Sequence, residues 1–95
     1  MYTCPCCGYK TLASELPGTY DICPIYFWED DPIQYDESDY CGGANHVSLI
    51  EAQKNFKEFG ACEKAMIRHV RKPGKHDMVD MAWKQIVSRE EVKEQ

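Results

Sequence analysis

Tyr2-Thr3-Cys4-Pro5-Cys6-Cys7-Gly8 contains a complete C-x-x-C, Cys4 with Cys7, and sixteen residues after Cys7 the stretch Cys23-Pro24-Ile25-Tyr26 opens in the same way. Two C-x-x-C turns about 15 to 20 residues apart aim four thiolates and several backbone amides at one point, the chemistry of a tetrahedral zinc site. Cys4, Cys7 and Cys23 supply three of those four ligands, and Tyr26 stands where the fourth belongs. A phenol with a pKa of about 10 is not a usual zinc ligand. Gly8 strengthens the first turn, since glycine readily takes the positive φ that turns amides toward the sulfurs.

The fourth ligand is therefore sought elsewhere. Cys62 follows a glycine stop at Gly60 and could pack back on the turns; His46 lies at the boundary between two differently composed halves; Cys41 sits in a glycine-rich loop; Cys6 is inside the first turn. The spacing favours Cys62, then His46. The ordinary alternative for Cys62 is a small buried hydrophobe, and His46, His69 and His76 each lack a partner at ligand spacing. Six cysteines in 95 residues read in a reducing compartment as metal binding ahead of a disulfide framework.

Charge is the second chemical signal. From Thr11 to Gln53 there is no lysine or arginine, and nine acids fall in that span, within a net charge of −5. Beyond Gln53 ten bases are mixed with seven acids. A surface of one sign repels nucleic acid and attracts basic partners, whereas a mixed surface serves solubility. The candidate partner-binding residues are the carboxylates Glu29, Asp30, Asp31, Asp36, Glu37 and Asp39, with Trp28, Tyr35 and Tyr40 as aromatic anchors. Phe27 is expected buried and Trp28 half-buried.

The elements that must position these groups divide near His46. Before it, Pro5, Gly8, Pro17-Gly18, Pro24, Pro32 and Gly42-Gly43 forbid a long helix and suit knuckles, turns and short strands. Residues 8–12 are expected to pair with 19–23 through the Pro17-Gly18 turn. After it, Ser48 with Glu51 makes a capping box, and Leu49, Ala52, Phe56 and Phe59 recur at helical spacing until Gly60. A second helix is expected over 62–71, before Pro73-Gly74, and a third from an Asp77 N-cap through Val79, Trp83, Ile86 and Val87, with Glu90 and Glu91 at a solvated end. The expectation is a small α+β chain forming one domain over 1–95. An N-terminal cysteine knuckle with a short β-hairpin and acidic loops occupies 1–45, and two or three helices occupy 46–95.

Tyr2-x-Cys4-Pro5-Cys6-Cys7-Gly8-Tyr9, Pro17-Gly18-x-Tyr20-x-Ile22-Cys23-Pro24, Phe27-Trp28-Glu29-Asp30-Asp31-Pro32, Gly42-Gly43-Ala44-Asn45, Val47-Ser48-Leu49 and Asn55-Phe56-x-x-Phe59-Gly60-Ala61-Cys62 together resemble the bacterial CPCC family of cysteine-rich proteins. The resemblance spans about residues 2–73 and departs at Tyr26, where the family's pattern has a cysteine. It implies a zinc-ribbon-like knuckle, keeps Ala61-Cys62 as a structural partner of that knuckle, and implies no catalytic residues. It also implies a genomic context, among bacterial toxin and immunity genes.

No Gly-rich phosphate loop, H-E-x-x-H or nucleophile elbow is present, and a redox C-x-x-C would open a helix rather than precede a glycine and a strand. The expected function is non-enzymatic: an immunity protein that neutralises a basic, nuclease-type toxin by covering its active site with an acidic surface. The alternative is a zinc-ribbon-like nucleic-acid or transcription-associated module, which calls for more basic residues near the knuckle than Lys10. No apolar run reaches the roughly 18 residues of a membrane span, and the start carries no secretory pattern. A cytosolic protein with no membrane partner is expected.

Overall fold

The structure, a computed structural model, describes residues 1–86. The order of elements is β1 (Tyr2–Thr3), β2 (Lys10–Leu12), α1 (Pro32–Asp36), α2 (Leu49–Phe59) and a 3-10 turn over Lys64–His69. This is a small α+β fold: an N-terminal antiparallel hairpin followed by short helices.

The hairpin is not the one expected from the Pro17-Gly18 turn. β1 pairs with β2, Tyr2 opposite Leu12 and Thr3 opposite Lys10, with an irregularity between them, so the first cysteine turn is itself the hairpin loop. Residues 19–23 fold back instead on 28–30. Tyr20 N–H donates to the Asp30 carbonyl (3.0 Å), Asp30 N–H to Asp21 (2.9 Å), and Ile22 bridges to Glu29. Each cysteine turn thus closes its own flanking strands. Local closure costs less loop entropy than pairing the two turns with each other.

Asp31-Pro32 is a helix start that sequence reading placed in an acidic loop. The Asp31 carboxylate accepts from the N–H groups of Ile33 (2.8 Å) and Gln34 (3.1 Å), and Pro32 takes the first helical position, where its missing N–H costs nothing. α2 follows its expected limits. Ser48 Oγ accepts from Glu51 N–H (3.1 Å), and Gly60 ends the helix at φ +79. Its inner face, Leu49, Ala52 and Gln53, is buried against a core of Leu12, Ile25, Tyr26, Trp28 and the cysteines.

The second expected helix is reduced to the six-residue 3-10 turn. Glu63 makes no side-chain cap, and no residue of the turn is buried, so nothing rewards an α-helix there. The third helix is absent over 77–86. Asp77 closes a turn backward, accepting from Gly74 N–H and from the Arg71 guanidinium at 2.7 and 2.9 Å. The chain then runs extended along the hairpin. Lys10 N–H donates to the Met78 carbonyl (2.8 Å), Tyr9 bridges to Val79, and Asp80 N–H donates to the Gly8 carbonyl (2.7 Å). Val87, Glu90 and Glu91 lie outside the described residues. Among the described residues no helix is long and apolar enough to cross a membrane.

Candidate metal centre

The sulfurs of Cys4, Cys7 and Cys23 lie within 4.8 Å of one another and are buried, a group that can hold a metal ion. Cys7 and Cys23 Sγ are 3.8 Å apart. The two turns that bring them together have one backbone pattern. In the first, Gly8 N–H donates to the Cys4 carbonyl (2.8 Å) and Cys4 N–H to that of Tyr9 (2.8 Å). In the second, Phe27 N–H donates to Cys23 (2.6 Å) and Cys23 N–H to Trp28 (2.9 Å). Gly8 and Phe27 are both left-handed, at φ +81 and +66. For Phe27 that conformation costs about 1 to 2 kcal/mol, which the second turn absorbs to keep its shape. The motif signal of Gly8 is thus reproduced by a residue that no motif would select.

Donors surround the sulfurs. Thr11 Oγ1 donates to Cys23 Sγ at 3.0 Å, and Tyr9 N–H to Cys7 Sγ at 3.4 Å. Bonds from the Cys4 and Cys7 thiols, then from Thr11 and the Tyr26 N–H, outweigh burial and hold Cys23 well below the usual thiol range. Burial and the neighbouring sulfurs push Cys4 up, and the bond to Cys23 pushes Cys7 up. The cluster thus favours the thiolate form at Cys23 over Cys4 and Cys7, and a cation entering it would displace thiol protons. Trp83 lies directly on Gly8: a Cβ there would stand 2.7 Å from Trp83 Cδ2. The carbonyl of Pro5 accepts from both Trp83 Nε1 and Gln53 Nε2 at 2.8 Å. Thr11, Gln53 and Trp83 support the site without any spacing signal in the sequence to single them out.

Cys62, expected as fourth ligand, packs back on the second turn but does not join the group. Its N–H donates to the Tyr26 carbonyl (3.1 Å) and its thiol to the Phe27 carbonyl (3.5 Å), and its sulfur lies outside the three-sulfur group. Burial raises that thiol to about 12. His46 is exposed, its Nδ1 3.4 Å from Glu63 Oε1. Cys41 is exposed; Cys6 is buried, outside the three-sulfur group.

The expected acidic face is corrected in part. Trp28 is fully buried at 1% exposure, while Phe27 is only half-buried and stacks on His69 at 5.2 Å, the reverse of the expectation. Asp30 is buried and accepts from Thr19 N–H (2.9 Å) and Oγ1 (2.8 Å). Asp31 is buried as the α1 cap and also accepts from Ala44 N–H at 2.8 Å. Glu29 is half-buried, its backbone held by the Asn45 side chain. Tyr35, Asp36, Glu37, Asp39 and Tyr40 remain exposed. Asp30 and Asp31 turn inward because Thr19, the start of α1 and the Ala44 amide use their carboxylate oxygens as acceptors; Asp36, Glu37 and Asp39 stand at the last residue of α1 and just beyond it.

A family model described as cysteine-rich CPCC matches residues 2–77. Comparison with curated proteins returned no match.

Proposed function

The chain belongs to the cysteine-rich CPCC family, and we propose that it is a metal-stapled immunity protein, which binds a basic, nuclease-type bacterial toxin and occludes its active site. Zinc held by Cys4, Cys7 and Cys23 would cross-link the two knuckles. A tetrahedral ion with Zn–S bonds of about 2.3 Å sets its sulfurs about 3.8 Å apart, and Cys7 and Cys23 stand at 3.8 Å. For a chain of this size such a cross-link supplements a small core.

The observation that carries the partner reading is the exposed run Tyr35, Asp36, Glu37, Asp39 and Tyr40, within the span from Thr11 to Gln53 that has no lysine or arginine. Tyr35 and Tyr40 offer rigid contact area, and the three carboxylates steer a basic partner and hold off wrong ones. A nucleophilic role would ask for an accessible thiol of lowered pKa; Cys23, the thiol held low, is fully buried among sulfurs. The test is the triple variant Asp36→Asn, Glu37→Gln, Asp39→Asn against a basic, nuclease-type effector. Association at low salt should slow about tenfold or more and lose much of its salt dependence. Unchanged rate and salt slope would remove the acidic run from the interface.

One observation favours the nucleic-acid reading as second choice. Lys10, Arg71 and His76 line a cavity of about 330 Å³ together with Thr11, Pro24 and Asp77, which brings more base to the knuckles than spacing suggested. Asp77 neutralises part of it through Arg71. Oligonucleotide binding that is abolished by Lys10→Ala with Arg71→Ala would move the assignment to this alternative.

A further inference from the structure

The extended segment that stands in place of the third expected helix carries two side chains back to the start of the chain. Asp80 N–H donates to the Gly8 carbonyl and Trp83 N–H to the Asp80 carbonyl (3.0 Å). Asp80 is then fixed through both of its oxygens: Oδ2 accepts from Thr3 Oγ1 at 2.6 Å, across 77 positions of sequence, and Oδ1 from Ala82 N–H at 2.9 Å. The bond from Thr3, then that from Ala82, hold its carboxyl below the usual range. A carboxylate has about four acceptor positions, so these two bonds leave lone pairs for a further donor. Trp83 is as firmly set, with Nε1 on the Pro5 carbonyl at 2.8 Å and its ring against Gly8.

A cavity of about 370 Å³ opens where this segment meets β1 and α1. Three aromatic residues from three parts of the chain line it, Tyr2 of β1, Tyr35 of α1 and Trp83, together with Leu16 and the carboxylates Glu15 and Asp80. Among the described residues no lysine, arginine or histidine lines it. Lys10, the cation acting on Asp80, lines the other cavity with Arg71 and His76. Tyr2, Glu15 and Tyr35 are exposed, while Leu16, Asp80 and Trp83 are half-buried. Aromatic faces attract a cation through the ring quadrupole, most strongly where water is displaced. An anion would meet two like charges here, and a purely apolar ligand would cover two carboxylates without pairing them.

We propose that this cavity receives an arginine side chain of a basic protein partner. The inference rests on the partner reading above and deepens it, since Tyr35 belongs both to the cavity and to the exposed acidic run. A guanidinium is planar, stacks on aromatic faces and meets a carboxylate through two parallel bonds, whereas an ammonium is a compact, strongly hydrated point charge. Asp80, held from two sides, is the acceptor for that fork; Glu15 adds a second charge, and Leu16 gives the aliphatic stem an apolar surface.

The probe is acetyl-Gly-Arg-Gly-amide, titrated against the full chain while the indole N–H signals are followed by NMR. It should move the Trp83 signal and leave that of Trp28, which is fully buried. The citrulline counterpart, equal in length and uncharged, should move neither. Glu15→Gln and Tyr35→Leu, both at exposed positions, should each weaken the peptide about threefold, and Asp80→Asn about tenfold. Should Asp80→Asn fail to fold, the first two variants still decide. Against a basic, nuclease-type effector, Glu15→Gln combined with Tyr35→Leu should shorten the lifetime of the complex about tenfold, whereas the triple variant at Asp36, Glu37 and Asp39 acts on association. Equal peptide affinity in the parent, Glu15→Gln and Tyr35→Leu would overturn the proposal and leave the acidic run standing. An effector complex whose lifetime the double variant does not alter would do the same. A lysine peptide or spermidine binding as tightly as the arginine peptide would overturn the guanidinium assignment. A parent that takes the arginine peptide at Trp83 yet binds no such effector would uphold the arginine site and remove the toxin as its source.

Discussion

Replacing Asp31 by alanine separates a carboxylate that holds the fold from one that meets a partner. Its Oδ1 caps α1 through Ile33 and Gln34, and its Oδ2 ties the 43–45 loop through Ala44. Losing an N-cap costs about 1 kcal/mol, and losing a hydrogen bond to a charged group a further 1.5 to 3 kcal/mol, about 2.5 to 4 in all. For a domain of this size that lowers the midpoint of thermal unfolding by about 10 to 30 °C. Asp31→Asn keeps one carbonyl oxygen and should fall between the two. Gly43→Ala strains the same contact from the other side, since its Cβ would stand 2.7 Å from Asp31 Oδ2. The pH dependence has a definite sign. Burial raises the Asp31 pKa, but the amides of Ala44, Gln34 and Ile33 outweigh it, and the folded value lies below the usual range. The carboxylate's contribution is therefore complete above the unfolded pKa of about 3.9 and is lost as pH falls through the lower folded value. Urea titrations of the three variants at neutral and acidic pH measure this directly. An Asp31→Ala protein with an unchanged midpoint at neutral pH would refute the cap-and-tie account.

Three further outcomes follow from the site. Gly8→Ala must accept φ +81 and a Cβ 2.7 Å from Trp83; it should lose about 2 kcal/mol or more, and Trp83→Ala in the same chain should recover part of that loss in a double-mutant cycle. Thiol labelling without denaturant or added metal should show one fast cysteine, Cys41, and five protected ones, because Cys4, Cys6, Cys7, Cys23 and Cys62 are buried; a second fast thiol would contradict the packing. Zinc binding at neutral pH should release about two protons per ion, chiefly from Cys4 and Cys7, whose thiols are held up while that of Cys23 is held down; calorimetry in buffers of different ionisation enthalpy counts them.

What could be read from the sequence was local. Ser48, Glu51 and Gly60 act within a few residues of themselves, so α2 and both of its caps follow from spacing alone. Cys4, Cys7 and Cys23 likewise meet because each turn carries its own geometry. The errors arose where a residue's partner is distant. Val79, Trp83 and Ile86 have helical spacing, but Val79 bridges to Tyr9, Trp83 donates to Pro5, and Ile86 N–H donates to Gln53 Oε1 (2.8 Å). A tertiary surface overrode the period. Polar interiors were equally hidden. Gln34 Nε2 reaches the carbonyls of Tyr40, Asn45 and Val47, and its Oε1 takes two bonds from Asn45. Nothing in a glutamine's neighbours announces that it is the hub of a loop. Asp30 and Asp31 read as surface charge for the same reason: composition reports a carboxylate, not which amides it serves.

The Pro5 carbonyl gives the order of assembly a consequence during biosynthesis. Its two donors stand 48 and 78 residues downstream, at Gln53 and Trp83. At about 5 to 20 residues per second, Trp83 is made roughly 4 to 16 s after Pro5. The turn that carries Cys4 and Cys7 therefore exists before either of its anchors, and the closing of Trp83 over Gly8 is the last of these contacts to become possible.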